Sequence, residues 1–504
     1  METQEPRYQE LRTRLIEIND VGAASSVLGW DQTTYMPPGG AAARGRQLAT
    51  LGKLAHEKFT DDAIGTLLDG LRPYEASLPY DSTEASLIRV TRRDYEKATK
   101  VPASYIAESR AHGAASYGAW AAARPENDFK AVQPFLEKTL DLSLQYASFF
   151  PGYEHVADPL IDDLDAGVTA SQVRDVFDDL RAQLVPLVEA IGEQPLTDDS
   201  CLTQPFPEAD QWEAGLEAIR LFGYDFERGR QDKTHHPYTT RFALGDVRIT
   251  TRVNENDLRE CLFATMHEAG HGMYEQGTAA ELDGTPLGRG ASSGVHESQS
   301  RLWENRVGRS RGFWTFFYPR LQARFPVQLG GVSLDQFYRA VNKVQRSLIR
   351  VEADEVTYNL HIMLRFGLEM ALLEGKLPVR DLPEAWNERF RADLGIVPPN
   401  DREGVLQDVH WYSGRIGGLF QGYTLGNILG AQFYEKAIEA IPQIPSQIEC
   451  GELAPLHGWL RENLYQHGRK LTTPELVHRV AGGPLSSEPL VRYLKEKFGE
   501  IYRV

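Results

Sequence analysis

The sequence predicts a mainly α-helical protein that carries one small β element. Apolar residues recur at helical spacing along most of the 504-residue chain, and turns marked by proline or glycine separate the periodic segments. One stretch differs, because TTRFALGDVRITTRV alternates apolar and polar residues on both sides of a Gly-Asp turn. That alternation is typical of a β-hairpin. We therefore expect a large helical body with a hairpin at one place in the chain.

The helices are expected where the apolar period is clearest. In chain order these segments are Tyr8–Ile18, Ala41–His56, Thr83–Ala98, Thr169–Ile191, Glu297–Arg309, Leu334–Leu348, Glu352–Glu374 and Tyr423–Ile441. The proline-rich stretch Gly192–Asp210 is predicted to be a long surface connection. The hairpin leads directly into a further helix that begins near Asp257 and ends near Gly277.

The composition excludes several classes of function. Acidic side chains exceed basic ones by 71 to 54, which gives a net charge of −17 and disfavours nucleic acid or an anionic membrane as the main partner. No apolar run approaches membrane-span length, and the polar residues METQEPRYQE lead us to expect no signal peptide. Cys201, Cys261 and Cys450 are isolated, so a disulfide framework is not expected and a reducing cytoplasm is the predicted compartment.

The stretch TMHEAGHGMYEQG, residues 265–277, carries the strongest chemical signal. His267 and His271 are four residues apart, so on a helix they project from the same face and can bind one cation. Glu268 lies to the side of that pair, where it can reach a water on the metal. Gly270 and Gly272 weaken the helix locally, and these small residues are expected to leave room for a substrate.

A catalytic zinc usually has three protein ligands, so a third ligand must come from elsewhere. The downstream candidates are His296 and Glu297 in SSGVHESQSRLWEN. Glu297, Arg301 and Glu304 follow a helical pattern, which places Glu297 on the first turn of a second helix that faces the first. A His-His-Glu set would leave a bound water nucleophilic near neutral pH. Trp303 and Trp411 are expected in the core.

The chain carries further motifs in a fixed order: HPY (236–238), DVRIT (246–250), HESQ (296–299), IRVEAD (349–354) and GVLQDVHW (404–411). Together with HEAGH, these motifs resemble the signature set of the M32 metallocarboxypeptidases, the thermostable carboxypeptidase family. The segment LGWDQTTYMPPGGAAARGRQLATLGKLAHE resembles the opening of that family, so the likeness extends over essentially the whole chain. Two departures are HPY in place of HPF and GGLFQGYTLGN in place of GYFPTYTLGN.

The resemblance implies a mainly helical fold with a deep central groove and a small β-hairpin or sheet beside the active-site helix. It implies a single domain over residues 1–504, in which an N-terminal part (about 1–200) covers the groove and a catalytic part (about 201–504) carries the chemistry. It also implies one Zn²⁺ or Co²⁺ ion, a homodimer, and peptide substrates with a free C-terminus. Carried over residue by residue, the metal ligands are His267, His271 and Glu297, and the general base is Glu268.

Other residues are expected around this centre. Tyr423, carried over from the family, and His410 are the candidates for stabilising the oxyanion; structural roles as a helix cap and a buried histidine are the alternatives. Arg350, near the start of a long helix, is expected to bind the substrate carboxylate through two parallel hydrogen bonds. Arg248, which should point outward with Asp246 and Thr250, would bind substrate or order the groove wall, and His236 should lie near the groove.

Two other functions remain open at the level of the sequence. An oligopeptidase that cleaves internal bonds would use the same metal centre without a carboxylate-binding arginine. An inactive peptide-binding scaffold could keep a structural metal, although Glu268 argues against it because a structural site has no use for a base.

Overall fold

A computed structural model describes residues 5–504. The helices of the N-terminal part are α1 Glu5–Thr34, α2 Ala41–Phe59, α3 Asp62–Gly70, α4 Arg72–Ser77, α5 Thr83–Lys100, α6 Ala103–Ala123, α7 Phe129–Ser148, α8 Asp158–Asp162 and α9 Ala170–Gly192. The next helices are α10 Glu208–Phe222, α11 Leu258–Gln276, α12 Ser293–Arg301, α13 Arg311–Arg324, α14 Pro326–Leu329, α15 Leu334–Val341, α16 Thr357–Leu373 and α17 Leu382–Leu394. The last are α18 His410–Ser413, α19 Phe420–Ala440, α20 Ile444–Glu449, α21 Ala454–Asn463, α22 Thr473–Ala481 and α23 Glu488–Tyr502.

The prediction of a mainly helical body with one small sheet is confirmed. The hairpin consists of β2 Thr239–Ala243 and β3 Asp246–Thr251, which pair antiparallel. A short strand β1 Gln231–Lys233 adds to the other side of β3 in parallel, so the strand order is β1-β3-β2. The sheet packs on α11 through both β2 and β3. The predicted position of the hairpin beside the helix that carries HEAGH is thus confirmed. The deep central groove stays a prediction.

Several helix bounds differ from the predicted ones. The first helix is much longer than Tyr8–Ile18, because its second half has few buried residues and gives the sequence a weak apolar period. Leu334–Leu348 ends as a helix at Val341, and the predicted helix Glu352–Glu374 begins only at Thr357. The segment Gly192–Asp210 was expected at the surface, but Leu202 and Phe206 within it are fully buried.

Two hydrophobic cores hold these elements. The large core begins at Tyr105 and reaches Tyr502, and it contains Trp303 and Trp411 as predicted. The small core joins α1, α3 and α5 to the loop between α11 and α12. Its buried members are Tyr8, Leu11, Leu15, Ile64, Leu67, Leu68, Leu71, Leu87, Ile88, Val90, Leu282 and Leu287. Burial of this apolar surface is the main force that fixes the N-terminal helices in place.

Candidate active site

The helix that carries HEAGH begins and ends as its sequence predicts. The Asp257 carboxylate accepts a hydrogen bond from the Arg259 backbone N–H at the first turn, and Gly277 follows the last turn. The two glycines inside the helix serve close packing and not room for a substrate. A Cβ on Gly270 would lie 2.5 Å from the Gln299 carbonyl oxygen, and one on Gly272 would lie 2.7 Å from the Tyr224 ring. Helix α12 can therefore approach α11 with backbone against backbone.

The three predicted metal ligands lie together. Glu297 Oε2 is 3.6 Å from His267 Nε2 and 3.4 Å from His271 Nε2. One donor atom from each residue lies within 4.8 Å of the other two. Two histidines one turn apart on α11 thus face a carboxylate on α12, the arrangement that the sequence analysis proposed.

Neighbouring side chains orient two of these donors. Glu304 accepts a hydrogen bond from His267 Nδ1 at 2.9 Å, which turns His267 Nε2 toward Glu297. Arg301 Nε donates to Glu297 Oε1 at 2.7 Å, which leaves Oε2 toward the histidines. The turn that follows α12, Leu302–Val307, is a π-helix, and it carries Glu304. Arg301 and Glu304 follow Glu297 by four and seven residues, so helical spacing predicts that all three lie on one face. The spacing does not predict that Arg301 and Glu304 orient the ligands.

His271 is held as a neutral imidazole. Burial, followed by the nearby His296, lowers the pKa of His271 to about 3. The His296 ring stacks on it at 4.4 Å between ring centroids, and His296 Nε2 bonds to Glu275 at 2.9 Å. His296 therefore packs against His271. Of the two downstream candidates for the third ligand, Glu297 and not His296 belongs to the donor cluster.

Glu268 lies beside the cluster with 6% of its surface exposed. The Thr239 hydroxyl on β2 lies 2.7 Å from Glu268 Oε2 and 3.0 Å from its carbonyl oxygen, so the sheet fixes the carboxylate. Burial raises the pKa of Glu268 above that of an exposed glutamate. Thr239 carries no signal in the sequence, because its contact with Glu268 depends on how the sheet packs on α11.

Arg350 is buried, with 7% exposed, and it lies in a short 3₁₀ turn, Arg350–Glu352, that precedes α16. Arg350 was expected near the start of a long helix, but α16 begins only at Thr357, because Asp354 accepts the backbone N–H groups of Val356 and Thr357. Asp408 already occupies one edge of the guanidinium, at 3.2 Å from Nε and 2.8 Å from Nη2. Nη1 lies 3.4 Å from the Tyr358 hydroxyl.

Tyr423, His410 and His236 gather around Arg350. The Arg350 guanidinium lies 5.5 Å from the Tyr423 ring centroid, and the Tyr423 and His410 rings are 6.4 Å apart. Burial lowers the pKa of His236, and the positive charges of Arg252 and Arg350 lower it further. Tyr423 is half-buried on the first turn of α19, and His410 begins α18.

Arg248 lies apart from that group and contacts α1. It makes a two-bond ion pair with Asp246 of its own strand, at 2.8 and 2.7 Å. Its guanidinium lies 4.3 Å from the Trp30 ring centroid and 4.9 Å from that of Phe242. The expected outward direction is wrong for Thr250, which is fully buried, because its hydroxyl bonds to the backbone of Tyr238.

The Carboxypeptidase Taq (M32) metallopeptidase model matches residues 10–498. The chain belongs to this family. Among curated relatives, Thermostable carboxypeptidase 1 of Thermus thermophilus is 40% identical over 99% of this chain and 100% of its own length. Carboxypeptidase 1 of Bacillus subtilis is 36% identical over 99% of both chains. A crystal structure of an M32 carboxypeptidase from Deinococcus radiodurans R1 superposes with a TM-score of 0.96 at 49% identity, over 99% of this chain and 100% of that one.

Membership of the M32 family makes the chain a metallocarboxypeptidase and implies a divalent metal. The comparisons favour neither an oligopeptidase nor an inactive scaffold. The residues present fit a divalent ion, since two histidines and a glutamate each offer a donor atom within 4.8 Å of the others. Imidazole nitrogens and a carboxylate oxygen are ligands that catalytic zinc uses. In the described part of the chain, no helix is both long and apolar enough to span a membrane.

Proposed function

We propose that this M32 enzyme removes C-terminal residues from peptides at a metal centre formed by His267, His271 and Glu297. The observation that carries the proposal is the placement of three donors from two helices beside a buried carboxylate, Glu268. The buried cation Arg350 supports it, since the pKa of Tyr423, which burial raises, is also influenced by the charges of both Arg350 and Glu297. A metallopeptidase needs three ligands that hold the metal which activates water, and a base that accepts the proton of that water. An exopeptidase needs in addition a fixed cation for the substrate carboxylate.

The donor set favours Zn²⁺, with Co²⁺ as the second choice. Two imidazole nitrogens and one carboxylate oxygen are a set that zinc adopts in catalytic sites, and cobalt accepts the same ligands. When bound, such an ion supplies polarisation of the scissile carbonyl and a lowered pKa for water.

Glu268 is the proposed general base. Thr239 fixes one of its carboxylate oxygens, so the other stays directed for proton transfer. Glu268 accepts a proton from the attacking water and then delivers it to the leaving amine. Because the carboxylate is buried, its basicity is not weakened by hydration.

Tyr423 and His410 are the proposed donors to the oxyanion. Burial raises the pKa of Tyr423 to about 12, so its hydroxyl keeps its proton at any working pH. A neutral donor stabilises the developing negative charge without holding the anionic product. The proximity of both residues to Arg350 supports a shared substrate position.

Arg350 is the proposed receptor of the C-terminal carboxylate. Since Asp408 occupies its Nε–Nη2 edge, the substrate carboxylate meets the end-on edge formed by Nη1 and Nη2. His236 lies in the same group and would contact the substrate near its C-terminus. Arg248 orders the wall of the groove by joining α1 to the sheet.

A pair of matched peptides tests this proposal. The two peptides share one sequence, and one ends in a free carboxylate while the other ends in an amide. We expect the carboxylate form to be hydrolysed at least about tenfold faster in kcat/KM, since a charge-assisted hydrogen bond contributes 1.5–3 kcal/mol. Equal rates for the two peptides would refute carboxypeptidase specificity and favour an oligopeptidase.

The remaining features of the proposal concern the whole protein. We place the enzyme in the cytoplasm, because Cys201, Cys261 and Cys450 are all free thiols. We propose a homodimer and a single domain in which residues 1–200 cover the groove above a catalytic part of residues 201–504. The packing of α1 against β2 supports that arrangement of the N-terminal part. The molar mass in solution, measured by light scattering, tests the dimer.

A further inference from the structure

A buried cluster of polar side chains lies behind Arg350. It contains Arg365 on α16, and Gln407 and Asp408 in the segment that precedes α18. We call these three residues and Arg350 the Arg365 cluster. The catalytic proposal above uses only Arg350 of this cluster.

Arg365 has no exposed surface, and its contacts use all of its nitrogen atoms. Nε donates to Asp408 Oδ2, Nη2 donates to Gln407 Oε1 at 2.7 Å, and Nη1 donates to the His361 carbonyl oxygen at 2.7 Å. Its guanidinium also lies 4.7 Å from the Trp386 ring centroid. Arg365 therefore cannot reach a substrate, and any effect it has on catalysis must pass through its neighbours.

The two side chains that Arg365 holds, Asp408 and Gln407, both accept hydrogen bonds from Arg350 as well. Asp408 Oδ1 accepts the Arg350 guanidinium at 2.8 Å from Nη2. Gln407 Oε1 accepts the Arg350 backbone N–H at 3.0 Å. Both the backbone and the guanidinium of Arg350 are thus fixed by groups that Arg365 fixes in turn.

The charges of the cluster do not balance. Two guanidiniums share a single carboxylate, so the cluster carries one excess positive charge in a buried place. Burial alone would raise the pKa of Asp408, but Arg365 and Arg350 hold it well below its usual range, so Asp408 stays ionised. A buried charge is costly unless it finds a counter-ion. The carboxylate of a bound peptide would supply that counter-ion at the free edge of Arg350.

We propose that Arg365 is a positioning residue for the peptide carboxylate: it holds Asp408 and Gln407, and through them it sets the position and the net charge presented by Arg350. This inference rests on the proposed role of Arg350. Without Arg365, Asp408 would pair with Arg350 alone, and that pair would be neutral. The attraction for a substrate carboxylate would then fall, although every residue that touches the substrate remained in place.

The test is Arg365→Met with a blocked tripeptide that ends in a free carboxylate. We expect KM to rise at least about tenfold and kcat to stay within about twofold, because the lost interaction concerns binding of the carboxylate. Bound metal, measured by elemental analysis, should equal that of the wild type. Arg365→Lys keeps the charge without the planar fork, so its KM should lie between the other two.

Arg389→Met is the matched control. Arg389 and Arg181 share Asp393 on α17 in the same way that Arg350 and Arg365 share Asp408, and Arg389 lies 3.4 Å from Asp393. None of these three belongs to the proposed site. The control should lose stability while KM stays unchanged, which separates a specific effect from the general loss of a buried ion pair.

A folded Arg365→Met enzyme with the KM of the wild type would overturn the inference, and so would a loss confined to kcat. If Arg365→Met fails to fold, Arg365→Lys decides, since a lysine variant with wild-type KM would also overturn it. The amide peptide separates the two levels of the argument. If the wild type hydrolyses the amide and the acid equally well, the proposed function itself is refuted. If the wild type prefers the acid and the Arg365→Met variant keeps the wild-type KM, only the role of Arg365 is refuted.

Discussion

At the scale of single residues, the site combines groups that are each fixed by a neighbour. His267 is oriented by Glu304, Glu297 by Arg301, and Glu268 by Thr239. Fixing donors before an ion or a substrate arrives lowers the entropy that binding must overcome. The chemistry therefore depends on residues that touch neither the ion nor the peptide.

The role of Glu268 gives the first prediction. Glu268→Gln keeps the shape of the side chain but removes the base, so kcat should fall by about 10²–10⁴-fold. The variant should bind as much metal as the wild type, because Glu268 is not one of the three donors. Steady-state kinetics and elemental analysis of the same preparation measure both quantities.

Glu260→Gln is the control for that change. Glu260 lies in the first turn of the same helix and pairs with Arg252 outside the donor cluster. It should keep full activity. A Glu268→Gln enzyme as active as this control would rule out the proposed base.

At the scale of elements, α12 packs directly on α19, and glycine makes that approach possible. A Cβ on Gly426 would lie 2.4 Å from Glu297 Cγ and 2.7 Å from its Cβ. Helix α12 is thus held between Gly270 of α11 and Gly426 of α19, and the distance between these backbones places the Glu297 carboxylate.

Gly426→Ala should therefore displace Glu297 and weaken metal binding by about tenfold. Overpacking of this kind costs about 1–3 kcal/mol, which exceeds the gain of ~1 kcal/mol that alanine brings to a helix interior. Competition with a chelator of known affinity measures the metal affinity, and chemical unfolding measures the stability.

Gly458→Ala provides the comparison, because it lies inside α21 and its added Cβ would meet no atom within 4 Å. This variant should be slightly more stable than the wild type and should bind metal equally well. If Gly426→Ala behaves in the same way, the close approach of α12 and α19 does not position the ligand.

Sequence patterns predicted the elements whose signals are local. The cap at Asp257 and the hairpin turn at Gly245 were both readable from a few neighbouring residues. Strand β1 was not, because three residues carry no periodicity and their pairing with β3 depends on the fold.

In the candidate site, too, residues with a local sequence signal were predicted and residues whose role depends on the fold were not. His267 and His271 were readable because metal ligands recur at helical spacing in a motif, and Glu297 was chosen over His296 through the resemblance to the family. Arg365 and Tyr358 gave no such signal, because an arginine or tyrosine on an apolar helix has a role only once its partners are placed. The short turn that holds Arg350 was missed for a related reason, since acidic residues after it resembled a first helical turn.

At the scale of the whole molecule, α16 connects the core to the candidate site through two buried polar side chains, Arg365 and Glu369. Arg365 holds the segment before α18, and Glu369 accepts hydrogen bonds from Trp411 Nε1 at 2.8 Å and from the Gly417 N–H at 3.0 Å. Burial raises the pKa of Glu369 to about 7, from 4.5 for an exposed glutamate.

This shift predicts how global stability depends on pH. Because the folded state binds the Glu369 proton more tightly than the unfolded state, its contribution is complete below about pH 4.5 and is lost as the pH rises through 7. Glu369→Gln cannot titrate, so its stability relative to the wild type should improve by about 3 kcal/mol between pH 4.5 and 8. Urea unfolding of both proteins across this range, at one metal concentration, measures the difference.

Other titrating groups are common to both proteins and cancel in that comparison. A constant difference in unfolding free energy between the two proteins over the whole pH range would show that Glu369 has the same pKa in the folded and unfolded states. The raised pKa would then be wrong, and the charge of Arg365 would offset the cost of burying the carboxylate.

The loop between α11 and α12 belongs to both hydrophobic cores of the molecule. Its Leu282 and Leu287 are buried among the N-terminal helices, while its Gly290 N–H bonds to Glu275 of α11 and its Ser292 caps α12. Leu287 precedes Glu297 by only ten residues. Removal of α1–α5 would expose these leucines to solvent. The loop that aligns Glu297 on α12 with His267 and His271 on α11 would then be less firmly held. The N-terminal fifth of the chain, although it contains none of the proposed ligands, would thereby help the enzyme to retain the ion.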